Sequence, residues 1–244
     1  MNSGFYAAFT GLAARTQALE IVANNLANAN TTGFKALLEF YKATSAAQST
    51  ASLSPVNLAI NRFGVLGGSV VDLRAGSLEN TGNDTDVAIE GPGFLAVQSR
   101  AGIRFTRNGG FHLNAARQLV ATNGDLAVGE QGPITLPAGR VSISTDGTIS
   151  VDGTLAGRLR LVEFAPGTKL VPEGNSNFIA PAGSEHPAAE SRVRQGMLES
   201  SNLNPVEGSI SLIALQRHAE MLQRALSIFH TEFNRTAAED LPRA

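Results

Sequence analysis

Near the start of the chain, positions 5, 9, 12, 16, 19, 23 and 26 are Phe5, Phe9, Leu12, Thr16, Leu19, Ala23 and Leu26, stepping alternately by four and three. That spacing predicts one amphipathic helix. Asn2 or Ser3 can cap its start, and Gly33 is placed to end it soon after the last apolar position. Gly11 inside such a helix costs on the order of 1 kcal/mol relative to alanine, so a close packing neighbour is expected there.

The far end carries a similar pattern. Leu212, Leu215, Ala219, Leu222, Leu226, Phe229 and Phe233 step by three and four without a miss, a seam that suits a partner helix. Its start is marked by Asn204-Pro205-Val206-Glu207, with Asn204 as N-cap, Pro205 as the first helical residue and Glu207 as the return arm of a capping box. A second apolar row, Ile210, Ile213 and Ile228, is read as widening the buried face beyond what one partner covers.

Between these helices the texture changes. Residues 43 to 57, ATSAAQSTASLSPVN, are small, polar and proline-containing, and predict a flexible connector. From about 64 to 200, short apolar runs such as VAIEGPGFLAVQ, QLVATNGDLAV and VSISTDGTISVDG alternate with Asn-Gly and Asp-Gly pairs, the signals of strands and hairpins. The expected fold class is α+β: long N- and C-terminal helices packing as an antiparallel coiled-coil-like pair, with a β-rich middle domain. The expected boundaries are 1–42, a connector at 43–63, the β-rich domain at 64–203, and 204–244.

One segment resists this simple division. EIVANNLANANTTGFK packs Asn24, Asn25, Asn28 and Asn30 into the last turns of a helix, although asparagine is a mediocre helix former. Two readings stand side by side. The amides mark a fraying helix end, or they hydrogen-bond outward where helices of neighbouring chains pack.

Composition narrows the chemistry. The 19 basic residues against 21 acidic ones leave a formal charge of −2 with no long run of either sign, which argues against a nucleic-acid partner. No apolar run approaches the roughly 18 residues of a membrane span, so no membrane insertion is expected. The first residues lack a basic leader and do not read as a cleavable secretion signal. Cysteine is absent, removing thiolate ligands, disulfides and cysteine nucleophiles together.

The search for a catalytic or binding constellation returns little. Gly91-Pro92-Gly93 begins like a phosphate loop, but Ala96 holds the third glycine's place. His112, His186, His218 and His230 show no i, i+4 pair for zinc. Asp84 and Asp86 resemble the first ligands of a calcium loop, without the glycine and distal glutamate that must follow. No G-x-S-x-G elbow is present. The expectation is a protein that is not an enzyme, with no catalytic residues, cofactor, metal or small-molecule substrate.

At this point whole segments carry a resemblance. ANNLANANTTGFK closely resembles the N-terminal signature of the bacterial flagellar axial proteins, the rod and hook proteins of the basal body. TGNDTDVAIEGPGFLAV and RFTRNGGFHLNAARQLVATNGDLAV are similar to the successive core segments of that family, and ISTDGTISVDG continues in order. VRQGMLESSNLNPVEGSISLIALQRHAEMLQRALS resembles its C-terminal signature. Length and the block GPITLPAGRVSISTDGTIS look most like the proximal-rod branch, with the distal-rod branch close behind.

The resemblance implies a structural subunit of the basal-body rod in the periplasm. Such a subunit is exported by the flagellar type III apparatus without a cleaved signal and assembles with copies of itself and adjoining rod proteins into a helical tube. The tube transmits torque and encloses the export channel, the terminal helices forming its inner layer and the β-rich middle its outer one. Subunit contacts are then expected from Phe5, Phe9, Leu12, Leu19, Asn24, Asn25, Leu26, Asn28 and Asn30, and from Leu212, Leu215, Leu222, Leu226, Phe229 and Phe233. The competing classes are a periplasmic hydrolase, disfavoured by the missing site, and a free-standing binding or adhesion module, which would not need two seamed end helices.

Overall fold

The computed structural model describes residues 2–42 and 65–240; the predicted connector at 43–63 lies outside them. The chain divides into two compact units. The helical unit contains α1 (Asn2–Ala27), β1 (Leu37–Lys42), nearly all of β2 (Val65–Val71) and α2 (Pro205–Asp240). The β unit contains residues Ala27–Ala36 and Val71–Leu203.

α1 ends at Ala27, just past Asn24 and Asn25, and the turn that follows it belongs to the β unit. Thr31 N–H donates to the Asn28 carbonyl at 3.0 Å and Phe34 N–H to the Thr31 carbonyl at 3.2 Å. At the other helix the predicted cap is in place: the Asn204 side-chain oxygen accepts from Val206 N–H at 3.0 Å and Glu207 N–H at 3.4 Å. These bonds satisfy donors that the first helical turn would otherwise leave unpaired. β1 and β2 pair as a two-stranded ribbon.

The expected antiparallel coiled-coil-like pairing of the two helices is not found among the described residues. On α1 the buried positions are Ala14, Ala18, Ile21 and Asn25. At 3.6 residues per turn these point roughly 160° away from the predicted stripe, whose Phe9 is exposed and whose Leu12, Leu19 and Leu26 are half-buried. The helix therefore turns its small residues inward, and the seam that was to meet α2 faces elsewhere. On α2, Ala219 is buried, while Leu212, Leu215, Leu222 and Leu226 are half-buried. Ile210, Ile213 and Ile228 do not widen that face; they lie on roughly the opposite side of the helix and are exposed. Nor does Gly11 meet a neighbour among the described residues, none of which lies within 4 Å of where its Cβ would stand.

The β unit is built around β5 (Phe94–Ser99), whose sequence FLAV is apolar on both faces because both are covered. Leu95 and Val97 face one cluster with Val87, Ile89, Leu119 and Ile149. Phe94 and Ala96 face another, where the Phe94 ring meets Phe164 and Phe178 edge to face at 5.5 and 5.8 Å. β5 pairs with β6 (Gly102–Thr106), β9 (Leu126–Gly129) and β14 (Leu161–Phe164). The sheet continues from β9 to β8 (Leu119–Ala121), β7 (Phe111–Leu113) and β10 (Gly132–Pro133), from β6 to β16 (Asn177–Ile179) and β15 (Val171–Gly174), and from β14 to β17 (Glu185–Pro187).

Turn chemistry sets the smaller sheet of β11 (Val141–Ile143), β12 (Thr148–Val151) and β13 (Thr154–Arg158). Between β12 and β13, Asp152 and Gly153 have φ of 49° and 80°, the left-handed pair that a two-residue hairpin of the right twist requires. The last strands of the unit return to its first. β18 (Arg192–Gln195) pairs with β4 (Val87–Glu90), and β19 (Met197–Glu199) pairs with β3 (Leu78–Asn80), all antiparallel. This closure brings Glu199 beside residues far away in sequence.

Candidate assembly surfaces and a buried charge cluster

Each terminal helix of this chain is apolar on two sides. α1 buries its small face and leaves Phe9 56% exposed on the other. α2 half-buries its leucine seam and exposes Val206, Ile210, Ile213, Met221 and Ile228 on the opposite side. Ile210, Ile213, Ala214 and Met221 line a shallow groove there, bordered by Arg217 and Arg224. A helix with apolar side chains on opposite sides can cover only one of them with a single neighbour, and an exposed apolar row such as that of α2 is the kind of surface that partners cover.

The other predicted contact residues are placed as follows. Asn24 and Asn30 are exposed, and Asn28 is half-buried, accepting the Thr31 hydroxyl at 3.2 Å. Phe5, Phe229 and Phe233 lie within the helices, with side chains outside the described residues. Asn25 is different. Its amide is buried and brackets the Leu37 backbone, donating to the Leu37 carbonyl at 2.8 Å and accepting from Leu37 N–H at 2.8 Å. That side chain acts as one more rung for β1.

Sequence reasoning missed a cluster of three buried charges in the β unit. Lys35, Arg107 and Glu199 have side-chain exposures of 0%, 2% and 0%. Lys35 Nζ donates to Glu199 Oε1 at 2.6 Å and to the Arg74 carbonyl at 2.7 Å. Arg107 Nη1 reaches Glu199 Oε2 at 3.3 Å, and Nη2 donates to the Gly91 carbonyl at 2.7 Å. The guanidinium lies 4.9 Å from the centre of the Phe94 ring, a cation–π contact made strong by exclusion of water. Gly76 N–H adds a bond to Glu199 Oε1 at 2.8 Å.

Two cations thus share one carboxylate. Burial pushes the Lys35 ammonium below its ordinary pKa, with Glu199 opposing the shift, and pushes the Arg107 guanidinium down in the same way. Among the described residues Arg107 Nε, which is buried, has no hydrogen-bond partner. The backbone supports the cluster closely: Gly33 N–H donates to the Glu199 carbonyl at 2.7 Å. Gly33 has φ of 66°, and a Cβ there would stand 2.3 Å from the Asn108 nitrogen, so only glycine fits this crossing. The signal available in the sequence was the charge inside otherwise apolar or glycine-rich motifs, TTGFK, RFTRNGG and GMLESS.

Beside the cluster, Asp72 accepts from Arg74 through its backbone N–H at 3.1 Å and through Nη2 at 2.6 Å. The Arg74 side-chain bonds hold the Asp72 carboxyl below the usual carboxylate range, against the opposing effect of burial. A depressed folded pKa contributes stability that is present above the unfolded value, about 4, and is lost as pH falls through the folded one. Asp72→Asn is therefore expected to flatten the loss of stability between about pH 4 and lower values. Urea melts of both chains across that range check it, and parallel acid limbs would refute it.

Among the described residues no group of three or more His, Asp or Glu side chains could hold a metal ion. No helix of the described chain is long and apolar enough to cross a membrane.

Comparison with known proteins agrees in kind and in extent. Residues 5–35 match the family described as "Flagella basal body rod protein", and residues 88–151 match "Flagellar hook protein FlgE/F/G D1 domain". The flagellar basal-body rod protein FlgF of Caulobacter vibrioides is 32% identical, over 99% of this chain and 98% of its own. FlgF of Salmonella typhimurium is 33% identical over 91% of this chain and 93% of its own. The rod protein FlgG of Borreliella burgdorferi is 29% identical over 93% and 94%. With the N-terminal segment and the β-rich core matched by the family descriptions and nearly the whole chain aligned with FlgF, the chain belongs to the family of flagellar basal-body rod proteins of the FlgF/FlgG type.

Proposed function

We propose that this chain serves the basal-body rod as a tube-forming subunit, of the proximal-rod FlgF type. Its terminal segments, 1–42 and 204–244, form the inner layer around an export channel, and residues 64–203 form the outer layer. It reaches the rod through the flagellar type III export apparatus, packs against copies of itself and against adjoining rod proteins, and has no catalytic role. The observation that carries the reading is the exposed apolar surface of the terminal helices: α2 keeps an apolar row on the side opposite to the one it covers within the chain, and α1 leaves Phe9 exposed opposite its buried face. An asymmetric patch repeated by a screw operation builds a filament in place of a closed ring, and burying that surface repays the ordering of the subunit.

The distal-rod type is the second reading, favoured by FlgG relatives at nearly the same identity as the FlgF ones. Imaging of purified basal bodies carrying a tag on the β unit tests both. Label confined to the proximal end of the rod supports the first reading and label along the distal rod the second. Absence of label from the rod refutes both.

A further inference from the structure

The chain passes between its two units four times, at 26/27, 36/37, 70/71 and 203/204. An amide side chain, buried at Asn25 and half-buried at Asn202, is fastened to backbone at or beside every one of these passages. On the β-unit side the hub is Asn202. Its Oδ1 accepts from Ala36 N–H at 2.8 Å, and its Nδ2 donates to the Asp72 carbonyl at 2.9 Å and to the Arg74 carbonyl at 3.1 Å. Asp72 N–H donates in turn to the Ala36 carbonyl at 2.8 Å, so three passing segments are tied into one ring. On the helical side the hub is Asn25, two residues before the first passage, whose amide makes both bonds to Leu37, the residue just after the second.

We propose that Asn202 and Asn25 are clamps that make the four passages carry load together. They are positioning residues: neither needs to touch another subunit. Without them, the β1–β2 ribbon and the Asp72–Ala36 bond would still couple the passing segments, but a pull or twist on a terminal helix would be shared less evenly among the four. With them, the force is divided among the segments before it reaches the sheet. A side-chain amide suits the task because it donates and accepts in one plane, bridging two backbones without a charge. The inference rests on the rod reading only for the source of the load; the clamps themselves belong to the isolated chain.

The test has two arms. Amide exchange on the full-length chain compares wild type with Asn202→Ala and, separately, Asn25→Ala. Exchange at Ala36 and Asp72 is expected to rise roughly ten- to a hundredfold in the first variant, and exchange at Leu37 in the second, because each buried donor or its partner strand is released. Cells carrying either variant as their only copy are then rotated in media of increasing viscosity, and intact basal bodies are counted. The expected result is wild-type counts in thin medium and a loss that grows with load. Should Asn202→Ala fail to fold, Asn25→Ala decides the question alone. Unchanged exchange in a chain that is present in wild-type basal bodies would overturn the clamps, as would faster exchange with full resistance to load. Absence of the wild-type chain from basal bodies would overturn the rod reading, and load sharing with it.

Discussion

Glu199→Ala is expected to be among the most destabilising single substitutions in the β unit, lowering its stability by about 3–5 kcal/mol, the usual cost of removing one partner from a buried ion pair. The carboxylate faces both Lys35 Nζ and Arg107 Nη1 and also accepts Gly76 N–H. Its loss leaves two buried cations without a counter-charge, each holding only backbone carbonyls, and takes the acceptor from the Gly76 amide. Lys35→Met should cost less, because it leaves a single cation opposite a single anion and brings the cluster from a net charge of about +1 to neutral. Urea unfolding of the three chains, followed by the signal of the β unit, gives the order directly. A Glu199→Ala chain that loses less than Lys35→Met would show that the carboxylate is not what balances the site.

The contrast between this cluster and the hairpins shows which parts of the fold can be read from sequence. Asp152-Gly153 was legible because a two-residue turn is decided by the residues in it. Asn204-Pro205 was legible for the same reason: a cap acts within three residues of itself. Glu199 is 164 residues from Lys35 and 92 from Arg107. Only the pairing of β19 with β3 brings it there, and local periodicity treats each charge as solvent-facing.

The face of α1 failed for a different reason. Patterning weighs large side chains, so it found Phe9, Leu12 and Leu19, whereas the chain covers Ala14, Ala18 and Ile21. Alanines allow a close approach but give little hydrophobic signal, and of the predicted stripe Leu12 and Leu19 are only half-buried while Phe9 is exposed. Among the asparagines, Asn25 was legible as an unusual choice. Its partner was not, because β1 becomes its neighbour only after the chain has turned at residues 28–33.

The second large effect concerns assembly. Ile213→Asp with Met221→Asp is expected to leave the monomer folded and to abolish incorporation into rods. Both native side chains are at least half exposed, at 50% and 58%, so in the free chain the introduced carboxylates stay in water and the substitution costs little. Each introduced carboxylate stands four residues from Arg217, at a spacing that supports a helix by about 0.3–0.5 kcal/mol per pair. In a tube that covers this row the same carboxylates would be buried, at a cost of several kcal/mol each, enough to defeat a contact repeated along the assembly. Circular dichroism and thermal melts of the variant should match the wild type, while purified basal bodies should contain none of it. Rods that accept the double variant at the wild-type level would show that this row of α2 meets solvent in the assembled structure, and the subunit interface would have to be sought on the half-buried leucine face, Leu212, Leu215, Leu222 and Leu226.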